Sequence, residues 1–305
     1  MMRDALGEVL VELAQADERI VALTANLGES TGLKKFREKF PDRFFDIGVS
    51  EQNLVTTASG LAAVGKIPFI TSYAAFSPGR NWEQIKTTIA LNDVPVKIIG
   101  NHAGLSAAVY GATHMGLEDV AMMRALPNMQ VFSPCDATEL TKLVKAIVFD
   151  NKPVYIRLPR GETPTITNKA TPFEVGKISV LREDSDPQVM IFGTGPILAE
   201  ALKIEVPAVV ASVHTIKPLD ERAILHFAKL TGAVVTVEEH QLAGGLGGAI
   251  AEVLARNYPT PVEMVGVKDV FGESGTYQEL LAKHKLNKEG IVEAVTKVLA
   301  RKHGS

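Results

Sequence analysis

Short runs rich in Val, Ile and Phe alternate with amphipathic segments along this whole chain, and that alternation limits the fold more than any other feature. The runs at 19–27, 44–49, 67–74, 96–102, 129–133 and 154–158 are bounded by Gly, Pro or Asn. Between them, residues 4–16, 51–64, 82–91, 117–125 and 137–149 space their apolar side chains as helices do. Strands that are apolar throughout belong to sheets covered on both faces, and the helices between them make parallel βαβ units. The pattern predicts a doubly wound α/β domain over residues 1–165. A Thr- and Pro-rich stretch with one strand-like run at 177–181 reads as a linker, residues 166–186. A second, smaller doubly wound α/β domain is expected over 187–305, with strands at 188–192, 208–214, 233–237 and 262–267. Its helices are expected at 197–204, 221–230, 248–255, 277–283 and 288–301.

Composition narrows the function classes. Lys and Arg number 32 against 35 Asp and Glu, a net charge of −3, so no basic surplus exists to neutralise a nucleic acid. One cysteine, Cys135, excludes an intramolecular disulfide and any cysteine-rich metal knot, and fits a reducing cytosol. No apolar run reaches the roughly 20 residues that span a bilayer. The first 20 residues lack the apolar core of a signal peptide, so a cytoplasmic protein without membrane contact is expected.

Ligands of open α/β sheets gather where strands end and helices begin. At Asp46-Ile47-Gly48-Val49-Ser50-Glu51, a strand meets a helix with Ser50 as N-cap and Glu51 in the first turn. On position alone, Glu51 is better explained as a glutamate favoured by the helix dipole. The next strand ends in Tyr73 and Phe76, which suit either a pocket wall or plain core packing. A long small-residue loop after the fourth strand carries His102 and His114, acid–base groups near neutral pH, and is otherwise a flexible surface loop. Arg157 and Arg160 close the sixth strand, where a pair of guanidinium groups suits either an anion or a surface ion pair. The glycine-rich run from Glu238 to Gly248 looks like a phosphate cradle, but its acids would repel phosphate and its spacing fits no nucleotide motif, favouring a structural role. No metal-ligand cluster and no nucleophile elbow is visible. An acid, aromatics, histidines and arginines on one sheet edge call for an organic cofactor.

Leu27-Gly28-Glu29-Ser30-Thr31-Gly32, together with Phe40-Pro41-Asp42-Arg43 and Asp46-Ile47-Gly48-Val49-Ser50-Glu51-Gln52, resembles the pyrimidine-binding domain of transketolases. The order of Tyr73, Phe76, His102, Gly111-Ala112-Thr113-His114, Pro134-Cys135-Asp136 and Arg160 agrees. Val213-His214-Thr215-Ile216-Lys217-Pro218 and Glu238-Glu239-His240 resemble the transketolase C-terminal domain. The resemblance implies thiamine diphosphate as cofactor, with Glu51 on the aminopyrimidine nitrogen, favouring the imino tautomer that activates the thiazolium carbon. It implies Tyr73 and Phe76 against the pyrimidine ring, which would also desolvate the Glu51 carboxyl. His114 is expected to face the reacting carbon and oxygen, and His102 and Arg160 to hold a sugar phosphate. Arg80 lies near the ring-contacting loop with shifted spacing. Three positions depart from the family: Asn26 replaces an aspartate beside the thiazolium, Tyr110 an aspartate that contacts a donor hydroxyl, and Met115 an amide. Fewer polar groups there imply a donor with fewer hydroxyls or a changed acceptor.

No Gly-Asp-Gly occurs in the chain. In the family that run, in a further N-terminal domain, holds the diphosphate and a divalent metal. The resemblance thus implies the C-terminal subunit of a split transketolase, a natural subunit rather than a truncated piece. Magnesium and diphosphate are then held by a partner subunit, with a homodimer of this chain inside a heterotetramer. A deoxyxylulose phosphate synthase-like ligase, a 2-oxoacid dehydrogenase beta-type subunit and a non-catalytic assembly subunit are the alternatives.

Overall fold

The computed structural model describes residues 1–303. Strands β1 (Ile20–Thr24), β2 (Phe44–Asp46), β3 (Ile67–Tyr73), β4 (Lys97–Asn101), β5 (Gln130–Phe132) and β6 (Val154–Arg157) pair in parallel in the order β5-β6-β4-β3-β1-β2. β1, β3, β4 and β6 are buried along their whole length, which is why their sequences do not alternate. On one face, Leu6 and Leu10 of the Met2–Ala16 helix and Leu140 and Leu143 of the Ala137–Ile147 helix cluster with Phe69 and Ile156. On the other, Leu54 and Val55 of the Glu51–Ala63 helix and the buried Ile85 and Ile89 cluster with Leu23, Ile70 and Ile98.

Residues 82–91 do not form the expected single α-helix. One α turn, Trp82–Gln84, runs into a π-helical stretch, Ile85–Ala90. The hydroxyls of Thr87 and Thr88 donate to the carbonyls of Glu83 and Gln84 at 3.0 and 2.7 Å. Such side-chain bonds compete with the regular ladder, and here the Leu91 amide reaches back five residues, to Lys86, at 2.9 Å. A short helix, Lys34–Lys39, was not expected; Phe36 is its one buried residue, too little for a periodic signal.

The second part adds β7 (Ser179–Glu183), β8 (Val189–Gly193), β9 (Ala208–Ser212), β10 (Thr215–Lys217), β11 (Val234–Gln241) and β12 (Val262–Val267). Five of these build a second sheet, ordered β12-β11-β8-β9-β7, parallel except for β7 against β9. The run expected as one strand over 208–214 ends at Ser212, and β10 then turns away to pair antiparallel with β5, becoming the seventh strand of the first sheet. A second join comes from Asp136. Its carboxylate accepts the amide of Glu139 at 2.8 Å, capping the Ala137–Ile147 helix, and that of Ile166 at 2.8 Å. Among the described residues, no helix is long and apolar enough to cross a membrane.

Candidate active site

The first sheet's parallel strands all end toward one edge, where their following loops converge. Glu51 opens its helix there and is only 4% exposed. Ser50 holds the N-cap position, but its hydroxyl makes no capping bond. The helix start is tied down by Asn81 instead, fully buried, whose amide donates to the Glu51 carbonyl and to the Ser77 hydroxyl, both at 3.1 Å. That one side chain joins the Glu51 turn to the loop carrying Phe76.

Rings assemble beside it. Tyr73 lies 5.8 Å from Phe76 and 4.0 Å from His102, centroid to centroid. His114 is 5.2 Å from Phe76 and 5.5 Å from Tyr110. Glu51 does not meet a bare aromatic wall. The Arg80 guanidinium sits 4.0 Å above the Phe76 ring and donates to the Glu51 carboxylate at 3.3 and 3.5 Å, so the buried acid is ion-paired. Arg160 lies 4.8 Å over Tyr110. Thus Glu51, Tyr73, Phe76, Arg80, His102, Tyr110, His114 and Arg160 form one contiguous constellation. Asn26, with φ 59°, stands at its edge in an open cleft of about 420 Å³ lined also by Gly28, Glu29, Ser30, Asp46 and Tyr73. The Asp46 carboxylate accepts the Asn26 amide at 2.9 Å, so an acid lines this cleft although residue 26 is not one.

His102 is buried in the left-handed region (φ 56°), a strained backbone held in place by its surroundings. Burial first, then the charges of Arg160, Arg3 and His114, push its pKa down to about 4, so the ring is neutral near pH 7. Among the described residues its Nδ1 has no hydrogen-bond partner, nor do the buried Ser72 Oγ and Asn101 Nδ2 nearby on β3 and β4. Arg3 was not legible as a site residue. It lies on the first helix, donates to the Ser30 carbonyl at 3.1 Å, and brings a second cation, after Arg160, to the His102–Arg160 end. Only the packing of that helix under β1 places it there; no local motif marks it.

Two expectations change. Arg157 does not join Arg160. It is locked inside, donating to Asp119 at 3.0 and 3.1 Å and to the carbonyls of Gly116 and Glu239 at 3.0 and 2.7 Å. Met115 is no polar-wall substitute, because it is buried in the second-domain core and a side chain at Gly272 would collide with its sulfur. The Glu238–Gly248 run is structural, as its acids suggested. The Glu238 carboxylate accepts the amides of Leu246 and Gly247 at 2.7 and 2.8 Å and itself fills the helix N-terminus where an anion would sit.

Comparison with known proteins places this geometry. The transketolase pyrimidine-binding domain model matches residues 1–165, and the transketolase C-terminal domain model matches 176–291. This chain belongs to the transketolase family. A 6-deoxy-6-sulfo-D-fructose transketolase subunit from Clostridium sp. (strain MSTE9) is 42% identical over 309 residues, covering 99% of this chain and 95% of that one. One of the subunits of an apulose-4-phosphate transketolase from Phocaeicola vulgatus is 36% identical, over 95% of this chain and 94% of its own. A solved structure described as a split gene transketolase, inactive beta4 tetramer, superposes with a TM-score of 0.91 at 45% identity, covering 99% of both chains. Membership in the transketolase family gives the constellation a frame: a pyrimidine-binding domain of this kind belongs with thiamine-type cofactors.

Proposed function

We propose that this chain is the C-terminal subunit of a split transketolase that moves a two-carbon ketol unit between sugar phosphates, in the cytoplasm, when joined to a subunit that holds the diphosphate and magnesium. One observation carries the reading: a buried carboxylate at the sheet edge, Glu51, is joined through Arg80 to a cluster of rings made by Phe76, Tyr73 and His114. The residues fit the pyrimidine half of thiamine diphosphate. Phe76 offers a planar face, Glu51 an acceptor pair beside it, and the cleft at Asn26 room for the rest. Among the described residues no group of three His, Cys, Asp or Glu suits a metal ion; the reading assigns the metal to the partner by family resemblance.

When bound, the cofactor supplies the carbon that takes up and releases the two-carbon unit. This chain's part is to orient and to handle protons. Glu51 holds a proton on the ring nitrogen. Phe76 fixes the ring plane, and for this Arg80 moves off it. His114 donates hydrogen bonds or a proton to the reacting oxygen. Arg160 and Arg3 make a cationic end for an anionic tail, with the neutral His102 ring beside them as a hydrogen-bonding group. The two relatives fit that end: their names specify ketoses with a sulfonate and a phosphate terminus.

Glu51→Ala in the reconstituted complex is expected to lower kcat on a ketose phosphate by about 10²–10⁴, the usual range for a lost acid–base group. Unchanged turnover would sink the mechanism and favour a non-catalytic assembly subunit. Tyr110, facing His102 and His114 at 6.3 and 5.5 Å, supports a second reading, a pyruvate-using ligase or 2-oxoacid dehydrogenase beta-type subunit. A donor screen separates them: turnover of pyruvate and none of ketose phosphates overturns the transketolase assignment.

A further inference from the structure

The second domain supplies none of the constellation described above, yet one of its carboxylates reaches the loop that carries it. Glu239 lies on β11, only 4% exposed. Its Oε1 accepts the Ser106 amide at 2.9 Å, and its Oε2 accepts the Tyr277 hydroxyl at 2.6 Å. Ser106 sits in the Gly104–Tyr110 turn, between His102 and Tyr110. Its hydroxyl donates to the Ala103 carbonyl at 2.6 Å and accepts the Arg160 amide at 2.8 Å. A continuous line of hydrogen bonds therefore runs from Tyr277 through Glu239 and Ser106 to the main chain of residues 103 and 160. Those positions adjoin His102 and carry Arg160, two of the three groups at the end that receives the anionic tail. The approach is close: a Cβ at Gly104 would stand 2.4 Å from Glu239 Oε1, and Gly104 has φ +70°. The turn it braces is strained, with His102 at φ 56° and Ala108 at φ 51°, so it needs an external hold.

We infer that Glu239 is a positioning residue: through Ser106 it sets the spacing of His102 and Arg160, and so the fit of the substrate's anionic tail. This rests on the functional reading above. Glu239 acts through other groups and touches no reacting atom.

The test uses the reconstituted complex and Glu239→Ala, Glu239→Gln and Tyr277→Phe. With Glu239→Ala, KM for a ketose phosphate is expected to rise about tenfold, while KM for the same ketose without phosphate stays within about twofold, a split that general loosening would not produce. Gln keeps an acceptor for Ser106 and is expected to restore most of the affinity, and Tyr277→Phe to shift KM in the same direction by less. If the Ala variant does not fold, Tyr277→Phe carries the same comparison, with Glu239→Gln as the near-normal control, and a Tyr277→Phe variant with no phosphate-dependent rise in KM overturns the inference. Amide hydrogen exchange on the chain alone is expected to quicken at residues 103–111 and to stay unchanged at 51–63. Equal rises for both substrates, a faster-exchanging turn with unmoved KM, or unchanged exchange each overturn the inference while the wild-type complex still turns over ketose phosphate. A wild-type complex inactive on every ketose phosphate overturns the functional reading first, and this inference with it.

Discussion

At the residue scale, a planar cation already lies between Glu51 and the Phe76 ring. Arg80 stacks on Phe76 and donates to Glu51, the two contacts a bound pyrimidine would need. A half-exposed guanidinium held by one ring face and one ion pair is secured by roughly 1–2 kcal/mol. Arg80→Ala is therefore expected to tighten thiamine binding by this chain about tenfold by titration calorimetry. Weaker binding would instead make Arg80 a ring ligand. The histidines carry a second prediction. Burial lowers the pKa of His102 and of His214 from 6.5 to about 4. Since the folded value lies below the unfolded one, the unfolded chain takes up protons first as pH falls. Stability is complete above about 6.5 and is lost from there down through about 4. Thermal melts across that window should show the loss, and His214→Gln should flatten part of it. His214 serves best because it stacks on Phe173 at 4.4 Å, away from the ring cluster. At this scale the sequence marks Glu51, Phe76, His102 and His114 by position and by family resemblance. It does not show the Arg80–Glu51 pair or Arg3, because both depend on side chains meeting across elements.

Elements explain where reading worked and where it failed. Buried parallel strands write themselves as apolar runs, and most were legible within a residue or two, though β1 and β2 end three residues before their runs do and β11 continues four residues beyond its run. β10 was not, since three residues pairing across a domain boundary have no pattern of their own. The π-helical stretch was hidden for another reason: threonine hydroxyls competing for carbonyls leave apolar spacing looking α-helical. Two glycines give a matched test of what elements tolerate. Gly245 precedes the Leu246–Asn257 helix, and a Cβ there would stand 2.0 Å from Glu238 Oε2, which caps that helix. Gly245→Ala should cost about 2–3 kcal/mol in urea unfolding, by displacing a buried carboxylate from its amides. Gly60 lies inside the Glu51–Ala63 helix with nothing within 4 Å, so Gly60→Ala should add about 0.5–1 kcal/mol. Equal effects at the two sites would refute the packing argument.

On the scale of the whole molecule, the chain pairs a domain of the pyrimidine-binding family with a transketolase C-terminal domain, and its described residues include no group of three metal-ligating side chains. Alone it is expected to form a dimer that binds thiamine diphosphate weakly, and to enter a heterotetramer with its partner subunit. Sedimentation velocity with and without that subunit checks the assembly. Tight magnesium-dependent binding by this chain by itself would refute the division of labour. The architecture also bears on how the chain can be divided. Thr215–Lys217, on the far side of the domain boundary, hydrogen-bonds along β5 and finishes the first sheet. Cutting the polypeptide after the pyrimidine-binding part would strip that border strand away, baring a row of amides and carbonyls beside the buried Val131 and Phe132. Such a fragment would be sticky in solution, so the smallest well-behaved unit for engineering extends past Lys217.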